Sequence, residues 1–416
     1  MKNDSDVLVI GGGAVGVCAA YYLAEQGLSV SIVEKGEIAS GCSGANAGLI
    51  VPSFSIPLAA PGTLGQLFRW LLNPKSLFYV KPRFNLALFR WLGQFQKASR
   101  PQKMLQGLRV LRALNYASSE LYEQLIESES LDCNYRKDGW LMVYKTEKDF
   151  QKAVKEAHLL QAHDIEVKVL SREETLTMEP AFRVKLSGGI FFPEDAHLDP
   201  AKFVQALAER LREKGVEIHL QTEVLGMETA QGRIAAVRTT QGEFRSKYVV
   251  LAAGVWSSNL VCNLGCDLPV QPAKGYSVSV RRPESCPRAP LYLSEAKVVV
   301  TPLEDSLRLA GMMELAGLNH RISQHRVKAI RHAAQGYFGQ AENLDIIEVK
   351  CGLRPCSPDG LPIIDRYPGY NNLFITTGHG MLGITLAPLS GKLISQLVNS
   401  QTPDMSLGSL SSARFK

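Results

Sequence analysis

The apolar positions along the chain change period in a way that lays out its elements. Val7–Ile10 is an unbroken apolar run, the pattern of a strand buried on both faces. A glycine-rich turn follows. Apolar residues then recur at helical spacing, Val17, Ala20, Tyr21, Leu23 and Ala24, with a stop at Gly27. Val30–Val33 is a second buried strand. Residues 53–164 read as mainly helical, with helices over Gln102–Ser128 and Glu147–His163 and a strand pair around Tyr135–Tyr144. The stretch SREETLTMEP predicts a capped short helix. Asp199 and Pro200 suit the N-cap and first position of a helix that runs to Lys214 and stops at Gly215. Short strands are expected at 216–220, 222–229, 233–240 and 244–251, a small meander with turns at Gly232 and Gly242. Further strands and a helix at 319–340 follow. NLFITTGHGMLGITLAPLSGKLISQLV then repeats strand, glycine-rich turn and helix, with the helix N-terminus expected near Gly383.

Composition narrows the class. A chain of 416 residues predicts two or three domains at ~150 residues each. Its hydrophobic content of 45% suffices for large cores, and no apolar run reaches the ~20 residues of a spanning helix. Charges at Lys2, Asp4 and Asp6 precede the first turn, so the start does not read as a secretory signal, and a cytoplasmic protein is expected. The eight cysteines include the pairs Cys262/Cys266 and Cys351/Cys356, neither with histidines at zinc-site spacing. They read as buried thiols, with no metal site expected. No Walker loop, H-E-x-x-H or G-x-S-x-G is present, so phosphoryl transfer and hydrolysis have no candidate machinery.

The net charge of +6 is unevenly spread. Between Ile38 and Ser119 there is no Asp or Glu, and ten basic residues fall there, from Arg69, Lys75, Lys81 and Arg83 to Arg90, Lys97 and Arg112. Leu64, Leu67, Phe68, Trp70, Leu71, Leu72, Phe84, Phe89, Trp91 and Phe95 lie among them. Two readings fit: a surface for an anionic bilayer, where a quinone or other membrane-surface acceptor could be met, or a buried helical pair with a solvated basic rim. No nucleic-acid motif accompanies the basic residues, and none is expected to bind. No sequence feature specifies an oligomeric state.

The chemistry begins at the first turn. Gly11, Gly13 and Gly16 form G-x-G-x-x-G. The first glycine permits the turn, the second lets backbone approach a pyrophosphate, and the third lets helix and strand pack closely. Glu34, at the end of the second strand, can accept from a ribose diol. With both strands, the helix and the acid in place, a dinucleotide site is expected; the alternative is a turn that only packs. The small residues of Gly36–Gly48 then offer Ser40, Ser43 and Asn46 to phosphates. A nicotinamide dehydrogenase would continue with strand–helix units. This chain makes a loop and a helical insertion instead, which points to a flavin.

These features resemble the D-amino-acid oxidase / glycine oxidase superfamily of FAD enzymes over nearly the whole chain. SGCSGANAG and GLRP…DGLPII…GHGMLGITLAP carry the likeness. SGANAGLIVPSFSIPLAAPG and KGYSVSV look most like the D-amino-acid dehydrogenases. The resemblance implies a mixed α/β (α+β) fold: a Rossmann-like FAD-binding domain with a β-meander over 1–52, 165–268 and 348–416, and a substrate or cap domain of antiparallel sheet and helices over 53–164 and 269–347. It implies that Gly11, Gly13, Ala14, Val15, Gly16, Glu34 and Lys35 hold the ADP part of FAD. Ser40, Ser43, Asn46, Ala47, Gly48 and Leu49 would line the pyrophosphate and flavin. Val224 would meet the adenine, Ala253 and Gly254 the ADP portion, and Gly380, Met381, Leu382, Gly383 and Ile384 the isoalloxazine. Arg354 would pair with a substrate carboxylate, which a guanidinium can bind in a bidentate manner; a structural salt bridge is the alternative. Tyr276 would bond the carboxylate or amine, or else be a core tyrosine. Lys274, Met312, Met313 and His379 are weaker candidates. The implied reaction is oxidative deamination of a free amino acid, a D-amino acid above all. A hydride would pass from Cα to flavin N5, giving an oxo acid and ammonia, with electrons leaving to a quinone or other acceptor. Glycine, sarcosine, proline and hydroxyproline oxidation are the rivals within the fold. A flavin-binding subunit without its own amino-acid site, or a tRNA- or cofactor-modifying flavoprotein, is the rival from another class.

Overall fold

A computed structural model of the chain describes residues 4–62, 78–80, 85–265, 267–284, 286–338 and 345–415. The strands Asp4–Ile10 and Val30–Val33 pair in parallel, joined by the helix Ala14–Glu25. Their alternation of buried runs and glycine turn leaves little freedom, because a parallel pair needs a crossover that packs back on the sheet. At Gly11 the backbone is left-handed (φ +117°), and an added Cβ would lie 2.6 Å from the Ala252 carbonyl oxygen. At Gly16 an added Cβ would overlap the Gly11 carbonyl oxygen, so the helix reaches the turn only without a side chain there.

Around this unit the described residues form an eight-stranded sheet. Its order is Val224–Ala230, Arg233–Thr239, Gly242–Leu251, Asp4–Ile10, Val30–Val33 and Glu217–His219. Leu373–Thr377 pairs in parallel with Gly242–Leu251, and Ile363–Arg366 flanks it. The expected meander is therefore three strands. The fourth, Glu217–His219, leaves it to lie parallel to Val30–Val33, and the helix Pro200–Glu213 that leads into it packs on Ala14–Glu25. That helix begins as expected: Asp199 accepts from the Ala201 and Lys202 amides. Ser171 and Glu174 make a capping box for Arg172–Met178.

The second sheet has nine strands among the described residues. It runs Ile346–Cys356, Gln271–Arg281, Ser306–Leu315, Val298–Pro302, Leu291–Leu293, Trp140–Tyr144, Gly188–Phe192 and Lys168–Ser171, with Phe78–Val80 beside Ser306–Leu315. Three of these strands correct the expected domain boundaries. Lys168–Ser171, Gly188–Phe192 and, from residue 348 on, Ile346–Cys356 fall in the expected cofactor unit, yet their hydrogen bonds are made in the second sheet. Around Tyr135–Tyr144 only Trp140–Tyr144 is a strand; Arg136 makes an isolated bridge to His197.

Two helix starts also differ. The helix expected over 319–340 is Gln324–Phe338, and the last begins at Ala387 rather than near Gly383. A single turn, closed by Leu386 N on Leu382 O at 2.8 Å, occupies the gap. Pro388 explains the late start: it fits a helix's first turn and cannot donate farther along. This helix presses on Ala14–Glu25 so closely that a Cβ at Gly391 would lie 2.5 Å from the Cys18 carbonyl carbon. Of the basic aromatic span, Leu64, Leu67, Phe68, Arg69, Trp70, Leu71, Leu72, Lys75, Lys81, Arg83 and Phe84 lie outside the described residues. No described helix is long and apolar enough to cross a membrane.

Candidate active site

Two adjoining cavities, of about 400 and 460 Å³, meet at Cys42 and Asn46. The smaller opens over the first turn. Gly11, Gly13, Ala14, Val15, Glu34, Lys35, Ser40, Ser43, Val224, Ala253, Gly254, Gly380, Gly383 and Ile384 all reach its wall. They come from five separate chain segments. Ser43 is fixed by accepting the Ala14 amide at 3.0 Å. Glu34 accepts the Gly12 amide at 2.7 Å and the Gly36 amide at 2.9 Å, which holds its carboxylate at the strand end. Across the cavity Thr377 donates to the Gly254 carbonyl at 2.8 Å, and Gly380 N donates to Pro355 O at 2.7 Å. The Lys35 ammonium lies 3.2 Å from the Trp256 ring centre, and burial holds its pKa below the usual lysine range. These residues suit a dinucleotide: a glycine cradle with no room for side chains, a carboxylate at ribose distance along the chain, and an elongated space. Gly16 and Gly48 line neither cavity. Gly16 packs helix on strand, and Gly48 makes a left-handed turn (φ +86°) against Leu198.

The larger cavity continues from there, with Ala47, Leu49, Met381 and Leu382 on its wall. Arg354, on the strand Ile346–Cys356, enters it among mostly apolar neighbours. Its Nη1 donates to the Met312 carbonyl at 2.9 Å, the one hydrogen bond it makes among the described residues. No carboxylate pairs with it there, so the structural salt bridge is absent from the described residues. The guanidinium lies over Gly275: an added Cβ there would be 2.5 Å from Arg354 Cζ. Met312 itself has φ +72°. Behind it Glu314 joins two buried cations, Arg326 Nε at 2.8 Å and Lys274 Nζ at 3.4 Å, and Arg326 also meets Met312 Sδ at 3.8 Å. This buried cluster holds the cavity floor on which Arg354 rests. Lys274 is thus a structural cation, whereas Met312 and Met313 do line the cavity.

Tyr276 is corrected. Adjacent strand residues point to opposite faces. Gly275 faces the cavity, and Tyr276 packs with Val278, Leu309 and Ile330 in a separate core. Its hydroxyl is buried with no hydrogen-bond partner among the described residues. His379 lies on the wall of the smaller cavity. Burial pushes its pKa down to about 4, and Nε2 faces Ser390 Oγ at 2.9 Å, so the ring is neutral at pH 7.

Sequence reasoning missed several wall residues. Gly12, Cys42, Thr222, Trp256 and Thr377 line the smaller cavity, and Phe54, Trp140, Tyr292 and Lys297 the larger. Gly12 and Cys42 stood inside motifs already singled out. The aromatic residues carried no local signal. Long-range bonds place the wall: Tyr122 Oη donates to Ile384 O at 2.7 Å, Trp91 Nε1 to Cys356 O at 2.9 Å, and Ser53 Oγ to Asp195 at 2.5 Å.

Comparison with known proteins bears on this geometry. The family model described as "DAO: FAD dependent oxidoreductase" matches residues 6–397. A D-amino acid dehydrogenase of Agrobacterium fabrum is 32% identical, over 99% of this chain and 99% of its own length. One of Vibrio atlanticus is 33% identical, over 99% and 100%. Among solved structures, glycine oxidase from Geobacillus kaustophilus is similar with TM-score 0.81 at 24% identity, covering 99% of each chain. L-Amino acid deaminase from Proteus myxofaciens is similar with TM-score 0.78 at 21% identity, covering 100% of this chain and 94% of its own. At these identities the structural likeness speaks for the fold.

Proposed function

Because the chain belongs to the family of FAD-dependent oxidoreductases, we propose that it oxidatively deaminates a free amino acid, a D-amino acid in particular, and passes the electrons to a quinone or other acceptor. The observation that carries this reading is Arg354: a guanidinium without a carboxylate partner among the described residues, in an apolar cavity that adjoins the dinucleotide cradle. The names of the relatives, D-amino acid dehydrogenases, support the choice of substrate. FAD, when bound, supplies the two-electron acceptor that takes a hydride from the substrate's α-carbon.

The protein's part is binding and orientation. Gly11, Gly13, Glu34 and Ser43 would hold the ADP end, and Ala47, Leu49, Met381 and Leu382 would flank the flavin ring. Arg354 would hold the substrate carboxylate through two N–H donors, fixing which Cα face is presented. The apolar wall excludes water and strengthens that ion pair. The only carboxylate on the wall of this cavity among the described residues, Glu156, is on the helix Glu147–Gln161, which packs on Trp140–Tyr144, Lys168–Ser171 and Gly188–Phe192, at the other end of the sheet from the strand of Arg354. His379 is neutral. The amine would therefore bind already deprotonated, with no side-chain base required.

The decisive experiment is anaerobic flavin bleaching by D- and L-amino acids, glycine, sarcosine and hydroxyproline, followed by air or a soluble quinone. Bleaching by D-amino acids with recovery faster on quinone is expected. Bound FAD that none of them bleaches refutes the reading in favour of a flavin-binding subunit. Arg354→Ala should raise the half-saturating concentration far more for amino acids than for uncharged amines; equal losses would make Arg354 structural. For a membrane-surface acceptor, the support is the helix Leu86–Ala98, where Leu86 and Phe89 are 78% and 54% exposed beside Arg90 and Lys97. Co-sedimentation with liposomes should require anionic lipid; binding indifferent to lipid charge counts against it.

A further inference from the structure

The larger cavity has a second charged end. Lys297 lines it from the turn between Leu291–Leu293 and Val298–Pro302. That turn lies three to four strands along the sheet from the strand of Arg354. The guanidinium itself reaches over Gly275 to the Met312 carbonyl, so it lies one to two strands, ~5–10 Å across the sheet, from that turn before the length of the Lys297 side chain is added. The cavity wall around them is apolar and largely aromatic, with Phe54, Trp140, Phe192, Tyr292 and Val299. A small amino acid on Arg354 would leave the aromatic part of this cavity of about 460 Å³ unfilled.

Three features separate Lys297 from an ordinary surface lysine. Its backbone is left-handed (φ +51°), a conformation that residues other than glycine and asparagine seldom adopt. Its side chain is exposed, yet protein packed around the ammonium holds its pKa below the usual range. Among the described residues it has no ion-pair partner, only the Tyr292 ring at 5.7 Å. The nearby carboxylates Asp149, Glu295 and Glu156 act on it only at longer range, each with nearer partners of its own. Glu156 pairs with Lys152 at 3.5 Å. Glu295 accepts from the Lys145 and Thr146 amides and the Tyr337 hydroxyl. Asp149 accepts from Thr146.

We infer that Lys297 recognises an anionic group at the far end of the substrate's side chain, so that the preferred substrate is an amino acid with a long, apolar, carboxylate-terminated side chain. This rests on the amino-acid reading above. An amino acid of that shape would place one carboxylate on each cation and its apolar body along the aromatic wall. A site built around a charged contact discriminates strongly against the analogue that lacks it.

The test compares 4-carboxyphenylalanine with phenylalanine, in whichever enantiomer reduces the flavin. The wild-type kcat/KM ratio should favour the carboxylated substrate by about tenfold or more. Lys297→Met and Lys297→Gly should bring that ratio to about one, and Lys297→Arg should keep it. Glycine suits the left-handed backbone, so that variant is expected to fold. As a readout without turnover, the affinity of 3-(4-carboxyphenyl)propanoate, measured by thermal shift, should weaken about tenfold in Lys297→Met. A wild-type preference for phenylalanine, or a ratio that Lys297→Met leaves unchanged, overturns the inference while the amino-acid reading stands. If FAD is bound and neither substrate reduces it, nor does any other amino acid, the amino-acid reading falls and takes the inference with it.

Discussion

Gly275→Ala isolates the placement of Arg354 from everything else in the fold. Gly275 lies in the strand Gln271–Arg281 with no left-handed backbone, so alanine can adopt its conformation. The new Cβ would lie 2.5 Å from Arg354 Cζ. Carbon atoms in contact sit ~3.5–4.0 Å apart, so the guanidinium must retreat by on the order of 1 Å or more. It is the far end of a flexible side chain, which makes the retreat cheap for stability. It is costly for binding, because the bond from Nη1 to Met312 O and the two-pronged geometry toward a carboxylate are lost together. A hydrogen bond to a charged group contributes ~1.5–3 kcal/mol, which corresponds to roughly 10–150-fold in affinity.

The assay is stopped-flow anaerobic flavin reduction, which gives the substrate Kd and the limiting reduction rate separately. Gly275→Ala should raise Kd for amino acids by about 10–100-fold, with FAD content and Tm close to wild type. In an Arg354→Ala background the same substitution should do almost nothing, because the collision it creates is gone. The reasoning is refuted by a Kd within twofold of wild type, or by losses from the two substitutions that simply add. Either result would mean that the guanidinium does not hold the carboxylate from above Gly275.

Tyr276→Phe removes a buried hydroxyl that has no partner among the described residues, so it should stabilise the protein by about 1 kcal/mol and leave flavin reduction as it is; a tenfold slower reduction would return the hydroxyl to the site. Gly16→Ala drives a Cβ into the Gly11 carbonyl, and purification should yield mostly colourless protein; full FAD content would show that the helix can slide. Asp195 is fully buried against Ser53, and burial raises its pKa to about 8 from an ordinary 3.8. The folded state thus holds a proton that the unfolded state releases, so this group's contribution is present below about pH 4 and is lost as pH rises toward 8. Asp195→Asn should leave Tm similar at about pH 4 and raise it relative to wild type at about pH 8.5; parallel Tm curves would place the titration elsewhere.

How much of this was legible depends on whether the signal is local. The turn Gly11–Gly16, the Asp199 cap and the Ser171 capping box involve residues a few positions apart, and the backbone groups they satisfy are the chain's own neighbours. Sheet membership is not local. Nothing within Glu217–His219 says whether it joins the meander or Val30–Val33; the helix before it, packed on Ala14–Glu25, brings it to the latter. The same holds for Lys168–Ser171 and Ile346–Cys356, which were expected in one sheet and pair in the other. Tyr276 shows the sharpest form of the problem. KGYS offers one residue with a polar handle and one with none, and chemical expectation goes to the tyrosine. On a strand the two face opposite ways, and a register inferred one residue out exchanges core for cavity. The position that faces the cavity is Gly275, whose missing side chain is the space that Arg354 occupies, 79 residues later in the sequence. Glycine turns and helix caps can be read from residue type, but a cavity is made of what its walls leave out. That is why Arg354, a charged residue in a motif, was visible from the sequence, and the glycine that makes room for it was not.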